Sequence, residues 1–266
     1  MKIGIIGLGL IGGSILKKLS NFEYEIYAVT GNEETAKKVH NLTAKVSKEY
    51  DILTECELVF VCTPIRNTLE TLDKLENIVG KDCVVTDVAS VKEFVTKKKR
   101  PYKFIPSHPM AGTEKNGYDA SFEELFTGAK WVVTPYDYRN TEVLEKIIRQ
   151  LGAETIIADA KEHDKAVAII SHLPMYVSQC LFASAKDNPL AMKLASSGFR
   201  DTTRLAATNT TLAMDMLEFN GANIEEAKQN FEKELNTLKD NYCVENLQSI
   251  KQKRQDMYSK DGKNVL

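Results

Sequence analysis

The feature that most constrains this chain lies at its N-terminus, where "GLGLIGGS" follows the apolar run "KIGII". The glycines Gly7, Gly9 and Gly12 have the spacing G-x-G-x-x-G, and the "SILKKL" that follows is typical of a helix. The first glycine permits a tight turn, the second lets the backbone approach a pyrophosphate, and the third allows close helix–strand packing. Free N–H groups at the helix start attract phosphate. The segment predicts a dinucleotide-binding turn, which also includes Leu10 and Ile11.

Beyond this turn, short apolar runs alternate with amphipathic stretches up to about residue 158. Several of the runs are apolar at consecutive positions, as strands covered on both faces are. The alternation predicts an α/β, Rossmann-like domain in which helices wrap a parallel sheet. The predicted strands are 2–7, 24–29, 58–62, 83–88, 103–106, 130–134 and 154–158.

After Ala158 the pattern is helical, with no convincing strand. The stretch 164–185 is apolar on nearly all sides, which predicts a buried helix that Pro174 kinks. The pair Asn220–Gly221 predicts the end of a later helix, and Asn223 predicts the start of the next. The sequence therefore predicts two domains, a dinucleotide-binding domain over 1–158 and an all-helical domain over 159–266.

Composition excludes several classes of function. A chain of 266 residues that is 43% hydrophobic can bury two moderate cores, and a net charge of -2 does not indicate a nucleic-acid surface. No run approaches the ~18 apolar residues of a membrane span. The five cysteines form no CxxC pair, and the four histidines are scattered, so we expect reduced thiols, no metal site and a cytoplasmic location.

Polar residues follow three of the predicted strands at the points where ligands bind in open α/β sheets. Thr63 and Pro64 follow one strand and are expected to line the cofactor, Ser90 follows the next, and His108 follows the third. A serine and a histidine beside a nicotinamide suit alcohol oxidation, because a neutral imidazole can take the hydroxyl proton as hydride leaves carbon.

The end of the second predicted strand leaves the cofactor preference open. An acidic residue commonly binds the adenosine ribose there, but this chain has Thr30. The arginine typical of an NADP site is also missing nearby. We therefore favour NAD without excluding NADP.

Two segments of the helical region carry further candidates. His172 lies in the apolar stretch, where a core position and a ligand-binding position are both open interpretations. Arg204 either pairs with Asp201, one helical turn earlier, or clamps a carboxylate. The remaining histidines, His40 and His163, are interpreted as surface helix residues.

Five motifs together resemble one family over nearly the whole chain: "IGIIGLGLIGGS", "DVASVK", "SHPMAGTEKNGYD", "SHLP" and "GFRDTTRLA". The sequence is similar to the prephenate dehydrogenase family, including its arogenate-specific members. The resemblance implies a helical domain that forms a homodimer. It also implies conversion of prephenate and NAD(P)+ to 4-hydroxyphenylpyruvate, CO2 and NAD(P)H on the route to tyrosine, with no nucleic acid or membrane partner.

The resemblance also implies a role for individual residues. His108 matches the catalytic histidine that removes the C4 hydroxyl proton, and Ser90 matches the serine linking it to the hydroxyl and nicotinamide. Arg204 matches the arginine that binds a substrate carboxylate, and His172 matches a histidine near the substrate side chain. Further polar positions around the pocket match Thr113, Glu114 and Asp201. The chain departs from many relatives at Leu212 and Ala213, where they carry a Met-Trp pair.

Other readings share part of this pattern. An arogenate dehydrogenase would form tyrosine directly, and a β-hydroxyacid dehydrogenase or imine reductase would have the same two-domain plan. A non-catalytic dinucleotide sensor would keep only the nucleotide motif. The combination of Ser90, His108 and Arg204 argues against a sensor, which needs no proton acceptor.

Overall fold

The computed structural model describes residues 1–113, 115–136 and 141–260. The chain divides into two compact units, Met1–Ile224 and Glu225–Leu266. The first unit holds both the sheets and the first part of the helical region. The domain division at residue 158 remains a prediction.

A six-stranded parallel sheet forms the centre of the first unit, in the order β3-β2-β1-β4-β5-β6. The order reverses between β1 and β4, which makes the crevice at their carboxyl ends the expected ligand site. The strands are β1 Lys2–Ile6, β2 Glu25–Val29, β3 Lys45–Ser47, β4 Leu58–Val61, β5 Val84–Asp87 and β6 Lys103–Phe104.

A second, three-stranded sheet contains the two later predicted strands. β7 (Ser107–Pro109) pairs antiparallel with β8 (Lys130–Val133), and β8 pairs parallel with β9 (Glu154–Ile157). The predicted parallel sheet is therefore confirmed for the first part of the domain, while the runs at 130–134 and 154–158 lie in this mixed sheet. The short strands β3 and β7 were not predicted.

Helices cover both faces of the main sheet, as the consecutive apolar positions of its strands predict. In β4, Leu58 and Phe60 contribute to one core cluster, while Val59 and Val61 contribute to the other. The helices of this part are α1 Leu10–Leu19, α2 Glu33–Val39, α3 Ile65–Leu75, α4 Glu93–Thr96 and α5 Glu142–Gln150.

The helical region begins with α6 (Ala160–Val167), a π-helical turn (Ala168–His172) and α7 (Leu173–Ala185). Pro174 lies in the first turn of α7. Since proline cannot donate a backbone hydrogen bond and its ring clashes with the preceding turn, it accounts for this local rearrangement. The remaining elements are α8 Pro189–Leu194, α9 Ser197–Thr202, a 3-10 turn Arg204–Ala207, α10 Thr210–Asp240 and α11 Val244–Lys260.

The predicted burial of the stretch 164–185 is wrong for the single chain. Ile169 and Ile170 are 56% and 64% exposed, and Tyr176 and Phe182 are also exposed. Ala160–Ala185 is long and apolar enough to cross a membrane by length and composition only. The prediction that no run approaches a membrane span is therefore wrong. A soluble helix with a covered apolar face would satisfy the same criteria.

The predicted helix end at Asn220 is a kink inside α10. Asn220 has φ -130° and ψ 17°, which is outside the helical range, and helical geometry resumes after it. In the second unit, the helical residues Leu235, Leu247 and Ile250 have exposed side chains.

Candidate active site

The glycine-rich turn has the geometry that its sequence predicts. Gly7 has φ +87°, and a Cβ on it would lie 2.7 Å from the carbonyl oxygen of Cys62. A Cβ on Gly12 would lie 2.0 Å from the carbonyl oxygen of Gly7, whereas a Cβ on Gly9 would meet nothing within 4 Å. Helix α1 begins at Leu10 and has no acidic residue in its first turn. The open side of Gly9 and the free helix start therefore fit a pyrophosphate group.

The other predicted cofactor residues lie at carboxyl ends of the same sheet. Thr30 follows β2 and accepts a hydrogen bond from the backbone N–H of Asn32 at 3.2 Å. Pro64 is the N-cap residue of α3. The hydroxyl oxygens of Thr63 and Ser90 are buried and have no hydrogen-bond partner in the described residues. These two unsatisfied hydroxyls fit a polar group bound in the crevice.

The loop after His108 is held against the dinucleotide-binding helix. The ammonium group of Lys17 donates to the carbonyl oxygen of Ser121 at 2.7 Å, and the backbone N–H of Phe122 donates to the hydroxyl of Ser14 at 3.0 Å. This packing places residues 118–122, which follow the loop, beside α1.

His108 itself lies within β7, opposite Val132 of β8, and is 9% exposed. Thr113 is exposed, and its hydroxyl accepts from the backbone N–H of Lys115 at 3.2 Å. Glu114 lies outside the described residues.

A chain of hydrogen bonds joins His108 to a buried carboxylate. Nδ1 of His108 lies 2.9 Å from Nε2 of His163, and Nδ1 of His163 lies 2.7 Å from Oδ1 of Asp164. The Asp164 oxygens also accept the backbone N–H groups of Lys92 at 2.7 Å and Glu93 at 2.8 Å. The interpretation of His163 as a surface residue is therefore wrong, since it is 4% exposed.

These hydrogen bonds indicate which ring nitrogens carry hydrogen. A carboxylate only accepts, so Nδ1 of His163 carries hydrogen and donates to Asp164. In the arrangement with one hydrogen on each ring, Nε2 of His163 accepts from Nδ1 of His108, and Nε2 of His108 is an unprotonated acceptor. Burial, and next the neighbouring His163, lower the pKa of His108 well below 6.5. The His108 ring is thus neutral at physiological pH, and in this arrangement its lone pair lies on Nε2.

A second buried network fixes the backbone of β7. The Lys92 ammonium pairs with the Asp87 carboxylate and donates to the carbonyl oxygen of Ser107 at 2.7 Å. The Ser107 hydroxyl contacts the hydroxyl of Thr86 at 2.8 Å and the indole Nε1 of Trp131 at 2.9 Å. Because Ser107 directly precedes His108, this network limits how far the His108 imidazole can move. Sequence reasoning did not single out Lys92 or Asp87.

His172 is connected to Asp164 through the side chain of Asn220. It is 1% exposed, and Asn220 contacts its Nδ1 at 3.2 Å, while its Nε2 has no partner in the described part of the chain. Burial lowers the pKa of His172 to about 4, and the nearby Asp164 opposes that shift. His108, His163, His172 and Asp164 are called the histidine cluster below.

Arg204 does not form the ion pair with Asp201 that was one of its two interpretations. Asp201 instead accepts from Nε of Arg200 at 3.0 Å, and both side chains are exposed. Arg204 is exposed, and no described residue pairs with its guanidinium. The turn that carries it packs against α7, but no hydrogen bond links it to the histidine cluster.

Within residues 1–113, 115–136 and 141–260, no group of three or more His, Cys, Asp or Glu side chains is arranged to hold a metal ion. The five cysteines are free thiols.

Two family models match the chain over nearly its whole length. The nucleotide-binding domain of prephenate dehydrogenase matches residues 13–159, and the dimerization domain of prephenate dehydrogenase matches residues 159–255. The prephenate dehydrogenase of Lactococcus lactis is 32% identical over 251 residues, covering 89% of this chain and 70% of that protein. This chain belongs to the prephenate dehydrogenase family.

Solved structures of family members have the same fold. The Synechocystis arogenate dehydrogenase is 34% identical, with a TM-score of 0.81 over 98% of this chain and 99% of the other. The A. aeolicus prephenate dehydrogenase, solved with hydroxyphenyl propionate and NAD+, is 28% identical, with a TM-score of 0.85 over 97% and 98% of the two chains. The family resemblance and the Rossmann-type fold are both confirmed, and the chain is an oxidoreductase of the dehydrogenase type.

Proposed function

We propose that this protein is a prephenate dehydrogenase, which oxidises the ring C4 hydroxyl of prephenate with loss of CO2 to give 4-hydroxyphenylpyruvate. The observation that carries the proposal is the buried His108 beside a dinucleotide-binding crevice, where Nδ1 contacts His163 and, through it, Asp164. This arrangement leaves Nε2 of His108 to accept a proton. A base in this state suits removal of a hydroxyl proton.

A nicotinamide cofactor, held by the glycine-rich turn, would supply the hydride acceptor. Substrate C4 loses its hydrogen as hydride while Nε2 of His108 takes the hydroxyl proton, so that C4 becomes a carbonyl carbon. The ring carboxylate then leaves as CO2, and its bonding electrons move through the ring to the carbonyl oxygen. That oxygen regains a proton, and the product is an aromatic phenol. Since aromatisation drives the decarboxylation, the main tasks of the protein are proton removal and positioning.

The remaining residues are proposed to bind the substrate and position it. The unpaired guanidinium of Arg204 suits a carboxylate, because it can form two parallel charge-assisted hydrogen bonds. The buried hydroxyl of Ser90 has no protein partner and is available to the substrate hydroxyl and the nicotinamide. Additional polar contacts are assigned to His172, Thr113, Glu114 and Asp201.

For the cofactor we propose NAD, with Thr30 in the place of the usual ribose-binding acid. The Thr30 hydroxyl accepts a hydrogen bond from a backbone N–H. A hydroxyl is uncharged, so Thr30 presents no charge to either cofactor. Replacing Thr30 by Asp should raise the NAD+ to NADP+ ratio of kcat/KM by about tenfold or more, because a carboxylate binds the ribose hydroxyls and repels a 2′-phosphate. An unchanged ratio would show that Thr30 does not face the ribose.

Prephenate is preferred over arogenate because the L. lactis relative and the A. aeolicus structure are named for it. The similarity to the Synechocystis arogenate dehydrogenase supports arogenate as the second candidate. Initial rates with prephenate, arogenate and a 3-hydroxy acid, each with NAD+ and NADP+, separate the alternatives. Activity on the 3-hydroxy acid alone would favour a β-hydroxyacid dehydrogenase.

Replacing His108 by Asn tests the base directly. Turnover should fall about 10²–10⁴-fold, the usual contribution of a general base, while the cofactor dissociation constant stays unchanged. Unchanged turnover would remove His108 from the mechanism.

We further propose a cytoplasmic homodimer formed through the helical region. The matching family model is named for dimerization, and apolar side chains such as Ile169, Ile170 and Leu194 are exposed in the single chain. Sedimentation analysis should give twice the chain mass.

A further inference from the structure

Asn220 makes three hydrogen bonds that determine how its amide is oriented. Its Nδ2 donates to the carbonyl oxygen of Asp164 at 2.8 Å and lies 3.2 Å from Nδ1 of His172, and its Oδ1 accepts from Asn223 at 2.7 Å. A backbone carbonyl only accepts, so the amide nitrogen and not the oxygen must face Asp164. The second hydrogen of that NH2 group then points to Nδ1 of His172.

This orientation determines the hydrogen of His172. Its Nδ1 accepts, so the neutral ring carries its hydrogen on Nε2. With burial holding the pKa of His172 near 4, the ring is neutral at physiological pH. The Nε2 atom is buried and has no partner in the described residues. An unpaired buried donor is destabilising, which indicates that a bound ligand supplies the acceptor.

We propose that Asn220 is a positioning residue that holds His172 as a neutral Nε2–H donor for a carboxylate or carbonyl oxygen of the substrate. The identity of that ligand rests on the proposed function, but the state of the ring does not. The two active-site histidines then present opposite groups, since His108 accepts at Nε2 and His172 donates there. The titratable groups whose charges act on the His172 ring are Asp164 and His163, both on α6.

The kink in α10 fits this role. Asn220 is 3% exposed and leaves helical geometry at the residue whose side chain reaches both Asp164 and His172. A buried asparagine is costly unless its amide is satisfied, and here both ends of the amide are paired.

Nitrogen-15 NMR of histidine-labelled protein without substrate tests the inference directly. Only four histidines need assignment, which single replacements provide. The expected spectrum shows His172 with hydrogen on Nε2 and none on Nδ1 at neutral pH. Hydrogen on Nδ1, or a doubly protonated ring, would overturn the proposal even if the enzyme is fully active. Lack of activity on prephenate would instead refute the proposed function and leave this measurement valid.

A matched pair of variants tests the consequence for binding. In Asn220→Asp the carboxylate accepts from Nδ1, so the neutral ring loses its Nε2 hydrogen. The control Asn241→Asp makes the same chemical change at an exposed asparagine whose amide donates to the carbonyl oxygen of Thr237. At alkaline pH, Asn220→Asp should raise the KM for prephenate by about tenfold or more with a much smaller change in kcat, and Asn241→Asp should change neither. Equal KM values for the two variants would overturn the proposal, and if Asn220→Asp does not fold, the wild-type spectrum still decides.

Discussion

The role of His163 can be isolated by two substitutions that each keep one of its hydrogen bonds. In His163→Asn, the amide nitrogen replaces Nδ1 and can still donate to Asp164, but nothing reaches His108. In His163→Gln, the amide oxygen replaces Nε2 and can accept from His108, but the contact with Asp164 is lost. The distances involved in the wild type are 2.9 Å to His108 and 2.7 Å to Asp164.

The magnitude follows from the tautomer of His108. Without an acceptor, a buried Nδ1–H costs about 1–3 kcal/mol, so the ring gains by moving its hydrogen to Nε2. Since 1.36 kcal/mol corresponds to a factor of ten, the fraction of rings able to act as a base falls by about 5- to 150-fold. We expect kcat to fall by that factor in His163→Asn and to fall much less in His163→Gln.

The assay is NADH formation at saturating prephenate, with thermal unfolding measured for both variants. If His163 only helps Asp164 to hold the start of α4, the order of the two kcat losses reverses, because His163→Asn keeps the contact with Asp164. A larger loss of kcat in His163→Gln than in His163→Asn would therefore refute the reasoning. Wild-type turnover in both variants would do so as well.

Three further predictions concern the substrate clamp, the glycine turn and pH. Arg204→Gln should raise the KM for prephenate about tenfold or more, because a charge-assisted hydrogen bond is lost. The control Arg149→Gln changes a distant exposed arginine and should leave KM unchanged. Equal KM values for the two variants would make the role of Arg204 structural. Gly12→Ala should lower the melting temperature, because its Cβ would lie 2.0 Å from a backbone oxygen. In Gly9→Ala the new Cβ faces open space, so this variant should weaken only cofactor binding. Equal melting temperatures for the two variants would contradict the prediction. Burial holds the pKa of His108 well below 6.5, so its active neutral form persists on acidification. We therefore expect kcat/KM to stay constant as the pH falls through 6.5 and to decline only at lower pH. A decline centred above pH 6.5 would show that the base is less buried.

The fold was predictable where elements are long and their patterns regular. All seven apolar runs form strands, and the glycine turn has the geometry its spacing requires. The strands β3 and β7 have three residues each, too few for a period-two pattern to be recognised. The mixed sheet depends on the pairing of β7 with β8, a contact between distant segments that no local pattern reports. The exposed apolar face of the stretch 164–185 was mistaken for core, since composition alone does not distinguish an apolar side chain buried within the chain from one on its surface.

The candidate site was predictable to the extent that its residues follow strands. Position in the sequence selected Ser90 and Thr63, whose buried hydroxyls have no partner among the described residues. It also selected His108, which lies inside β7 and not on a turn. The roles of these residues stay predictions. His163 was missed because its local sequence "KEHDK" is highly charged, which is typical of an exposed helix. Its burial comes from packing of α6 against α4, which is a tertiary contact. The adjacent pair His163–Asp164 was the only local signal, and such pairs are common in helices without function.

Asp164 connects the two halves of the candidate mechanism. Its carboxylate sets the hydrogen of His163 and, through it, that of His108, while its backbone carbonyl orients Asn220 and therefore His172. The same carboxylate holds the backbone N–H groups of Lys92 and Glu93, directly after the turn that carries Ser90. One residue thus links the proposed base, the proposed substrate donor and the serine turn. Because these groups are buried and share hydrogen bonds, substitutions among them should be strongly non-additive, and their roles are best separated by ring-nitrogen spectra and by KM measured apart from kcat.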